Sequence, residues 1–246
     1  MTKTRVVVNG AQGKMGQLAC STLEAHPEFS LVGRLGRQDD LADALERLKP
    51  EVVVDLTRAD CVYNNATIMI EAGVYPVIGA SGLLEEDIEL LRQSCEARGR
   101  GGIVVPNFSI SAVLMMQCAA RIARFLPQVE IVEAHHPQKA DAPSGTSIKT
   151  ADMIADARST DTVRAPCKEV LAGALGAVHR GVPIHSIRLP GVLAQQSVIF
   201  GNQGETLTLS HNTGDRSSFM PGLILACQRV TSFKTLYYGL ETLLDA

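Results

Sequence analysis

The sequence predicts an α/β protein: a Rossmann-type, doubly wound parallel sheet followed by a second α+β domain built on an open mixed sheet. Three observations support this prediction. Short β-branched runs alternate with helical stretches as far as residue 105, which is typical of parallel strands joined by crossover helices. A glycine-rich turn follows the first run. Beyond residue 128 alternating runs are separated mainly by turn residues, which favours a mixed sheet.

Length, charge and composition restrict the classes of function. The chain has 246 residues and a formal net charge of −3, which gives no support for binding nucleic acid or a membrane surface. No apolar run has the length of a membrane span, and the first strand begins without a signal peptide, so we expect a cytoplasmic protein. The six cysteines are scattered, so we expect reduced thiols and no metal site.

A glycine motif follows the first predicted strand. Residues 5–10 are a β-branched run and residues 17–25 have helical spacing. Between them, Gly10 permits a tight turn, Gly13 lets the backbone approach a pyrophosphate, and Gly16 lets the helix pack on the strand. The order strand, turn, helix therefore indicates a dinucleotide site, with a purely structural turn as the alternative.

The end of the second predicted strand, residues 29–35, bears on the choice of cofactor. In NAD-preferring folds an acidic residue near this point holds the adenine ribose, whereas an arginine suits a 2′-phosphate. Arg37 follows the strand, Arg34 is less well placed, and Asp39-Asp40 is interpreted as the cap of the next helix. The sequence thus favours NADPH over NADH, with a solvent-exposed arginine as the alternative.

Further elements complete both predicted domains. Strands are predicted at residues 51–56, 75–79, 102–105, 129–135, 184–188, 194–200 and 206–211, and helices at residues 41–48, 63–72, 84–98, 111–125, 148–157 and 220–244. Residues 157–176 are predicted to form loop and a short helix. The first domain is assigned to residues 1–108 plus 217–246 and the second to residues 109–216. An open mixed sheet exposes a face that a sister subunit could cover.

Ligands of doubly wound sheets bind beyond the carboxyl ends of the strands. Residues 10–16, 57, 79–81 and 105–108 follow four such ends. These four tips should therefore converge on one crevice.

The residues with the most chemical potential lie between the strand at residues 129–135 and the next helix. Ser144 or Thr146 can cap that helix, and the backbone N–H groups near Gly145 and Thr146 form a receptor for an anion such as a carboxylate. His135 titrates near neutrality and Lys139 can supply a proton beside this receptor. Taken together, these groups favour a functional site over the alternative interpretation.

That alternative is a solvated ion network of Glu133, Lys139 and Asp141, with one histidine in the core. A metal site at His135-His136 is disfavoured because neighbouring residues on a strand point to opposite faces and no third ligand is evident.

The sequence EAHHPQKADAPSGT at residues 133–146 is similar to the E-(L/A)-H-H-x-x-K-x-D-A-P-S-G-T motif of dihydrodipicolinate reductases, NAD(P)H-dependent enzymes of the diaminopimelate route to lysine. The glycine turn resembles their GxxGxMG, and residues 105–108 resemble their A-P-N-F. Residues 79–82 resemble their G-T-T-G, with Ala80 replacing the first threonine. Residues 184–191 and 211–219 also resemble the family.

The resemblance implies reduction of dehydrated 4-hydroxy-tetrahydrodipicolinate to tetrahydrodipicolinate by a homotetramer. It implies that Lys139 donates the proton, that His135 is a second acid/base or orienting group, and that His136, Gly145 and Thr146 hold the carboxylates of a small dicarboxylate substrate. Together with Arg37, the predicted cofactor contacts are Gly10, Ala11, Gln12, Gly13, Lys14, Met15, Thr57, Gly79, Ala80, Ser81, Val105, Pro106, Asn107 and Phe108.

Two other functions stay open at this point. Another nicotinamide-dependent amino-acid or semialdehyde dehydrogenase would share the first domain, but the His-His-x-x-Lys loop argues against it. A non-catalytic NADPH-sensing protein would be suggested by the loss of His135 or Lys139, and both are present.

Overall fold

The computed structural model describes residues 2–158 and 167–244. The chain divides into two compact units, Met1–Ile110 with Phe219–Ala246, and Ser111–Ser218. Within the described residues the first unit carries a six-stranded sheet and the second a five-stranded sheet. The predicted fold class, a parallel doubly wound sheet and a second domain on a mixed sheet, is confirmed.

The elements follow one another in this order. The first unit begins with β1 (Thr4–Asn9), α1 (Lys14–Ala25), β2 (Phe29–Leu35), α2 (Leu41–Leu48), β3 (Val52–Asp55), α3 (Val62–Glu71), β4 (Tyr75–Ile78), α4 (Glu85–Ala97) and β5 (Gly102–Val104). Then come α5 (Ile110–Ala123), β6 (Gln128–His135), α6 (Gly145–Ala157), β7 (Ala177–His179), β8 (Val182–Arg188), β9 (Ala194–Asn202) and β10 (Glu205–Thr213). The chain ends with α7 (Met220–Arg229), β11 (Leu236–Tyr238) and α8 (Glu241–Leu244).

The sheet of the first unit has the order β11-β5-β4-β3-β1-β2, and its strands pair in parallel. Residues 6–8 of β1 and 52–54 of β3 are valines with 0% exposure. Because successive strand residues point to opposite faces, full burial of each one means that both faces of the sheet are covered. The winding reverses at β1, which has β2 on one side and β3 on the other, so the carboxyl end of β1 is a switch point.

The sheet of the second unit has the order β10-β9-β6-β8-β7. Its central strand, β6, pairs in parallel with β8 and antiparallel with β9, which makes the sheet mixed. Alternate residues of these strands, including Ile131, Ile184 and Val198, are buried, as is one stripe of α6 that includes Ala151 and Ile154.

The prediction of one helix over residues 220–244 is wrong. Helix α7 ends at Arg229, a 3₁₀ turn follows at Val230–Ser232, and the chain then enters β11. The aromatic and aliphatic residues of β11 favour a strand, and Leu236, which is 1% exposed, pairs beside Gly102 at the edge of the sheet. Sheet pairing and burial therefore outweigh helical spacing here.

Three smaller differences concern the second unit. β7 was not predicted, and the described part of the stretch at residues 157–176 contains turns but no helix beyond the end of α6. Residues 159–166 of that stretch lie outside the described residues. Helix α6 begins at Gly145, three residues before the predicted start.

No helix among the described residues combines the length and apolarity needed to cross a bilayer.

Candidate active site

The glycine turn after β1 is closely packed against its own backbone. Gly10 has φ +82°, and a Cβ there would lie 2.7 Å from the carbonyl oxygen of Leu56. A Cβ at Gly16 would lie 2.1 Å from the carbonyl oxygen of Gly10. Only glycine fits at these two positions, so the shape of the turn depends on the absence of side chains.

The turn places the start of α1 at a cleft that Gly13 helps to line. Gly13 is the N-cap residue, no side chain caps the helix, and its first turn contains no acidic residue. The first helical N–H groups and the positive end of the helix dipole can therefore receive an anion. Lys14 begins the helix and adds a cation, so this end of α1 fits a pyrophosphate group.

Hydrogen bonds join the strand tips of the first unit in sequence. The N–H of Leu56 donates to the carbonyl of Asn9 at 2.9 Å, and the N–H of Gly79 donates to that of Asp55 at 2.8 Å. The N–H of Val105 donates to the carbonyl of Ile78 at 2.7 Å. The tips of β1, β3, β4 and β5 thus lie side by side, as ligand binding at the carboxyl edge of a sheet requires.

A cleft opens at this edge. It is lined by four residues that the sequence nominated, Gly10, Gly13, Arg37 and Thr57, and by Asn9, Gly36, Asp39, Leu41, Leu56, Arg58, Asp60, Cys61 and Asn65. Ala11, Gln12, Lys14 and Met15 belong to the same turn and the first turn of α1. Gly79, Ala80 and Ser81 follow β4, and Val105, Pro106, Asn107 and Phe108 follow β5. Val105 and Phe108 are buried, so they offer a ligand mainly backbone.

The two candidate arginines differ in their surroundings. Arg34 forms an ion pair with Glu24, whereas Arg37 is exposed and lines the cleft. The interpretation of Asp39-Asp40 as one cap is wrong in part. Asp40 caps α2 by accepting the N–H of Asp43, but Asp39 accepts the N–H of Gly36 at 2.8 Å and lines the cleft.

Sequence reasoning missed Asp55, which ends β3 beneath the cleft residue Thr57. Its carboxyl group is fully buried and accepts hydrogen bonds from the backbone N–H and the hydroxyl of Thr57, while Asn65 donates to that hydroxyl at 3.1 Å. Burial raises the pKa of Asp55, and hydrogen bonds from Thr57, Asn65 and Asn9 offset only part of that rise. The signal in the sequence was an acid at the end of an otherwise apolar run.

The second unit places His135 at the end of β6. Its Nδ1 is hydrogen-bonded to the carboxyl group of Glu133, which is 0% exposed, and Arg188 Nη1 lies 3.0 Å from the other oxygen of that carboxyl group. Glu133 therefore does not belong to a solvated network, as the alternative interpretation required. It forms a cluster with His135 on its own strand and with Ser186 and Arg188 of β8.

The protonation states in this cluster follow from its contacts. Burial raises the pKa of Glu133, but hydrogen bonds from Ser186, His135 and Arg188 outweigh it and hold the pKa below the usual range. Burial lowers the pKa of His135, and the opposing effect of Glu133 does not cancel it, because Lys139 and Arg188 add positive charge. At neutral pH Glu133 is ionised and His135 is neutral. A neutral ring that donates from Nδ1 carries its lone pair on Nε2.

Lys139 lies in the loop between β6 and α6. Its Nζ is 2.7 and 2.9 Å from the two carboxyl oxygens of Asp141, and this hydrogen bond keeps the pKa of Asp141 below its usual range. The charge of Lys139 also lowers the pKa of His135, so the two groups are close enough to interact. His136, in the same loop, has a buried Nδ1 without a hydrogen-bond partner among the described residues.

The start of α6 is held by a buried polar network. Ser144 caps the helix, and its hydroxyl lies 2.9 Å from that of Ser147. Ser147 in turn donates to Gln196 Oε1 at 2.8 Å, and Gln196 Nε2 donates to Thr150 at 2.7 Å. The network fixes the first turn of α6, which begins with Gly145 and Thr146, to strand β9. Of the two predicted caps, Ser144 is the one observed.

Two family models match the chain: one described as dihydrodipicolinate reductase, N-terminus, over residues 4–108, and one described as dihydrodipicolinate reductase, C-terminus, over residues 111–244. A 4-hydroxy-tetrahydrodipicolinate reductase of Legionella pneumophila (strain Corby) is 54% identical over 242 residues, covering 98% of this chain and 100% of that protein. The chain belongs to the dihydrodipicolinate reductase family.

Other relatives of this reductase family agree. A 4-hydroxy-tetrahydrodipicolinate reductase of Coxiella burnetii (strain Dugway 5J108-111) is 48% identical over 239 residues, 97% of this chain and 98% of that protein. A dipicolinate-bound dihydrodipicolinate reductase from Paenisporosarcina sp. TG-14 has a TM-score of 0.90 and 39% identity, covering 98% of this chain and 99% of that chain. GenD2 in complex with NAD, at 18% identity and a TM-score of 0.66, shares the fold.

Membership confirms the predicted family and the predicted class of function. This reductase is an oxidoreductase of the diaminopimelate route to lysine, and its first unit is of the type that binds a nicotinamide nucleotide. The polar residues that the sequence did not nominate include Asp55 and Asn65 in the first unit and Ser147, Arg188 and Gln196 in the second. Arg188 lay in a stretch that resembles the family, but nothing in the sequence linked it to Glu133.

Proposed function

We propose that this reductase converts dehydrated 4-hydroxy-tetrahydrodipicolinate to tetrahydrodipicolinate with NADPH as its preferred cofactor. The observation that carries the proposal is the combination, between the end of β6 and the start of α6, of a carboxylate-paired His135, Lys139 and the Ser144-capped helix start. Substrate reduction needs an acid and a dicarboxylate needs anion receptors, and this loop supplies both.

In this proposal the residues 1–108 and 217–246 bind the cofactor and the residues 109–216 bind the substrate. A nicotinamide nucleotide bound to residues 1–108 and 217–246 would supply a hydride. Addition of hydride to a conjugated cyclic imine builds negative charge on the ring, and a nearby cation or acid lowers that barrier. Lys139 is the assigned proton donor because it carries the positive charge of the loop. His135, whose neutral ring carries a lone pair on Nε2, is the second acid/base or orienting group.

The substrate carboxylates are assigned to His136, Gly145 and Thr146. The N–H groups at the start of α6 and the helix dipole favour an anion, and His136 lies at the start of the loop that leads to this helix. The family relative from Paenisporosarcina sp. TG-14 binds dipicolinate, a planar dicarboxylate of the same class. Asp141 orients Lys139 and takes no part in proton transfer.

The preference for NADPH is assigned to Arg37. Its guanidinium group lies at the cleft while that of Arg34 is paired with Glu24, so Arg37 is the arginine that can meet a 2′-phosphate. A well-formed contact of this kind contributes on the order of 1.5–3 kcal/mol. We expect a lower KM for NADPH than for NADH, and Arg37→Ala should close the gap. Equal KM values in the wild-type enzyme would refute this assignment.

A homotetramer and a cytoplasmic location stay part of the proposal. On β8, alternation puts the 44% exposed Ile187 on the face opposite to the buried Ile184. Val178 of β7, which is 61% exposed, pairs with Pro183 on that same face. A sister subunit would cover these residues. Light scattering that gives a stable monomer at micromolar concentration would rule out this assembly.

The direct test of the activity is NADPH and NADH oxidation, followed at 340 nm, with freshly generated dihydrodipicolinate-pathway substrate. Turnover that depends on the substrate and is lost in Lys139→Ala supports the proposal. Oxidation of neither cofactor by the wild-type enzyme, although both bind, would instead indicate a nicotinamide-sensing protein.

A further inference from the structure

One buried cluster of the second unit joins two groups that the proposed chemistry uses. Strand spacing places Glu133 and His135 on the same face of β6, and the register of β8 sets Ser186 opposite Glu133 and Arg188 opposite His135. Glu133 thereby receives hydrogen bonds from two residues of β8, Ser186 and Arg188, in addition to the one from His135 on its own strand. A buried carboxylate is costly unless several donors satisfy it, and here His135, Ser186 and Arg188 do so.

Arg188 extends the cluster to the loop. Its Nη1 donates to Glu133 at 3.0 Å, and its Nη2 donates to the backbone carbonyl of Asp141 at 2.7 Å. Asp141 in turn holds Lys139 through its side chain. The planar guanidinium group can bind both acceptors at fixed geometry, which a lysine ammonium group cannot reproduce.

We infer that Glu133 and Arg188 are positioning residues of the reductase: Glu133 fixes the ring and tautomer of His135, and Arg188 fixes the loop that carries Lys139 relative to that ring. This inference rests on the proposed function, because it concerns the arrangement of the groups assigned to proton transfer. Neither residue touches the substrate in this account. Each acts through another side chain or through the backbone.

The charged groups around His135 determine what each substitution does. Glu133 on its own strand raises the pKa of the ring, while Lys139 in the loop and Arg188 on β8 lower it. Glu133→Gln keeps the size of the side chain and removes its charge, so the pKa of His135 should fall further below 6.5. Arg188→Lys keeps a positive charge beside Glu133 but gives up the contact with Asp141, so the pKa of His135 should change little.

The two variants should therefore separate the two roles. We expect kcat to fall on the order of 10²-fold in each, the loss typical of a reacting group displaced by about 1 Å. In Glu133→Gln the acidic limb of the pH profile should move to lower pH, together with the NMR titration of the His135 ring. In Arg188→Lys kcat should fall while the His135 titration stays in place. Dipicolinate should still bind both variants, because the start of α6 is untouched.

Arg180→Lys is the matched control. Arg180 belongs to the same unit and also bridges two acceptors, Asp152 and Asp156, but its pairs are at the surface. The Arg180→Lys substitution should leave kcat, the pH profile and the His135 titration unchanged. The His135 signal is assigned by its absence in His135→Asn.

The possible outcomes distinguish failure of this inference from failure of the proposed function. The inference would be overturned if both folded variants had wild-type kcat and the His135 titration did not move in Glu133→Gln. The proposed function would then remain intact. A wild-type enzyme that does not turn over the substrate would overturn the proposed function itself. If Glu133→Gln fails to fold, Arg188→Lys decides: reduced kcat with retained dipicolinate binding supports positioning, and unchanged kcat contradicts it.

Discussion

The two units form their candidate sites from different parts of the chain. In the first unit the turn at Gly10 and the joined strand tips are main-chain structures, and a side chain at Gly10 or Gly16 would collide with a carbonyl oxygen. In the second unit a carboxylate, an imidazole and a guanidinium group hold one another below the surface. Backbone groups suit a cofactor that is bound but keeps its protonation state, whereas side chains are needed where a proton must move.

The difference predicts which substitutions affect chemistry and which affect folding or binding. Truncation of the side chains assigned to proton transfer in the second unit, His135 and Lys139, should lower kcat at nearly constant affinity. A side chain added to the turn of the first unit should disrupt structure before it affects chemistry.

Lys139→Ala should have the largest effect on turnover. General acid catalysis typically contributes on the order of 10²–10⁴-fold, so kcat should fall within that range while KM changes much less. The double variant with His135→Ala should lose less than the product of the single losses, because both residues serve one proton transfer. Steady-state and single-turnover kinetics measure these effects, with the exposed Lys168→Ala as the control. A near-normal single-turnover rate in Lys139→Ala would reduce the lysine to a binding charge.

The contrast also shows how far the sequence could be interpreted. Glycine spacing, helix caps and the His-His-x-x-Lys loop are local patterns, and they nominated the turn and Arg37, which line the cleft of the first unit, and Lys139, which pairs with Asp141 in the second. The partners of those residues are distant in the chain: Arg188 is 55 residues from Glu133 and Gln196 is 49 from Ser147. Such pairs depend on strand register, which a single sequence does not specify. β11 was missed for the same reason, since its edge pairing outweighs helical spacing.

Gly16→Ala should damage the first unit as a structure. The added Cβ would lie 2.1 Å from the carbonyl oxygen of Gly10, so α1 must move away from β1. Overpacking of this kind typically costs about 1–3 kcal/mol, occasionally more, and the free energy of unfolding should fall accordingly. Denaturant titration measures the loss. Gly201→Ala is the control, because no atom lies within 4 Å of the Cβ position there, and similar losses in both variants would contradict the account.

Two buried acids should respond to pH with opposite signs. The pKa of Glu133 is lowered from 4.5, so its contribution to stability is present above that value and lost as the pH falls through the folded pKa. Glu133→Gln should therefore destabilise the protein by about 1–3 kcal/mol at pH 7, and by less in acid. The pKa of Asp55 is raised from 3.8, so its contribution is lost as the pH rises. Asp55→Asn should raise Tm slightly at pH 7.

Calorimetry of both variants against the wild type between pH 4 and pH 7.5 tests this pair. At pH 7 the Tm of Glu133→Gln should lie below that of the wild type and the Tm of Asp55→Asn above it. Both differences should become smaller towards pH 4. Differences of the same sign at pH 7 would show that the two carboxyl groups are held alike.

The division of labour between the units is tested most directly by titrating separate ligands into matched variants. Isothermal titration calorimetry would measure NADPH and dipicolinate, each alone, binding to the wild type, Arg34→Ala, Arg37→Ala and Thr146→Val. The account predicts that Arg37→Ala weakens NADPH binding and leaves dipicolinate unchanged, that Thr146→Val does the reverse, and that Arg34→Ala, whose arginine pairs with Glu24, changes neither. Loss of dipicolinate affinity in Arg37→Ala, or of NADPH affinity in Thr146→Val, would contradict it.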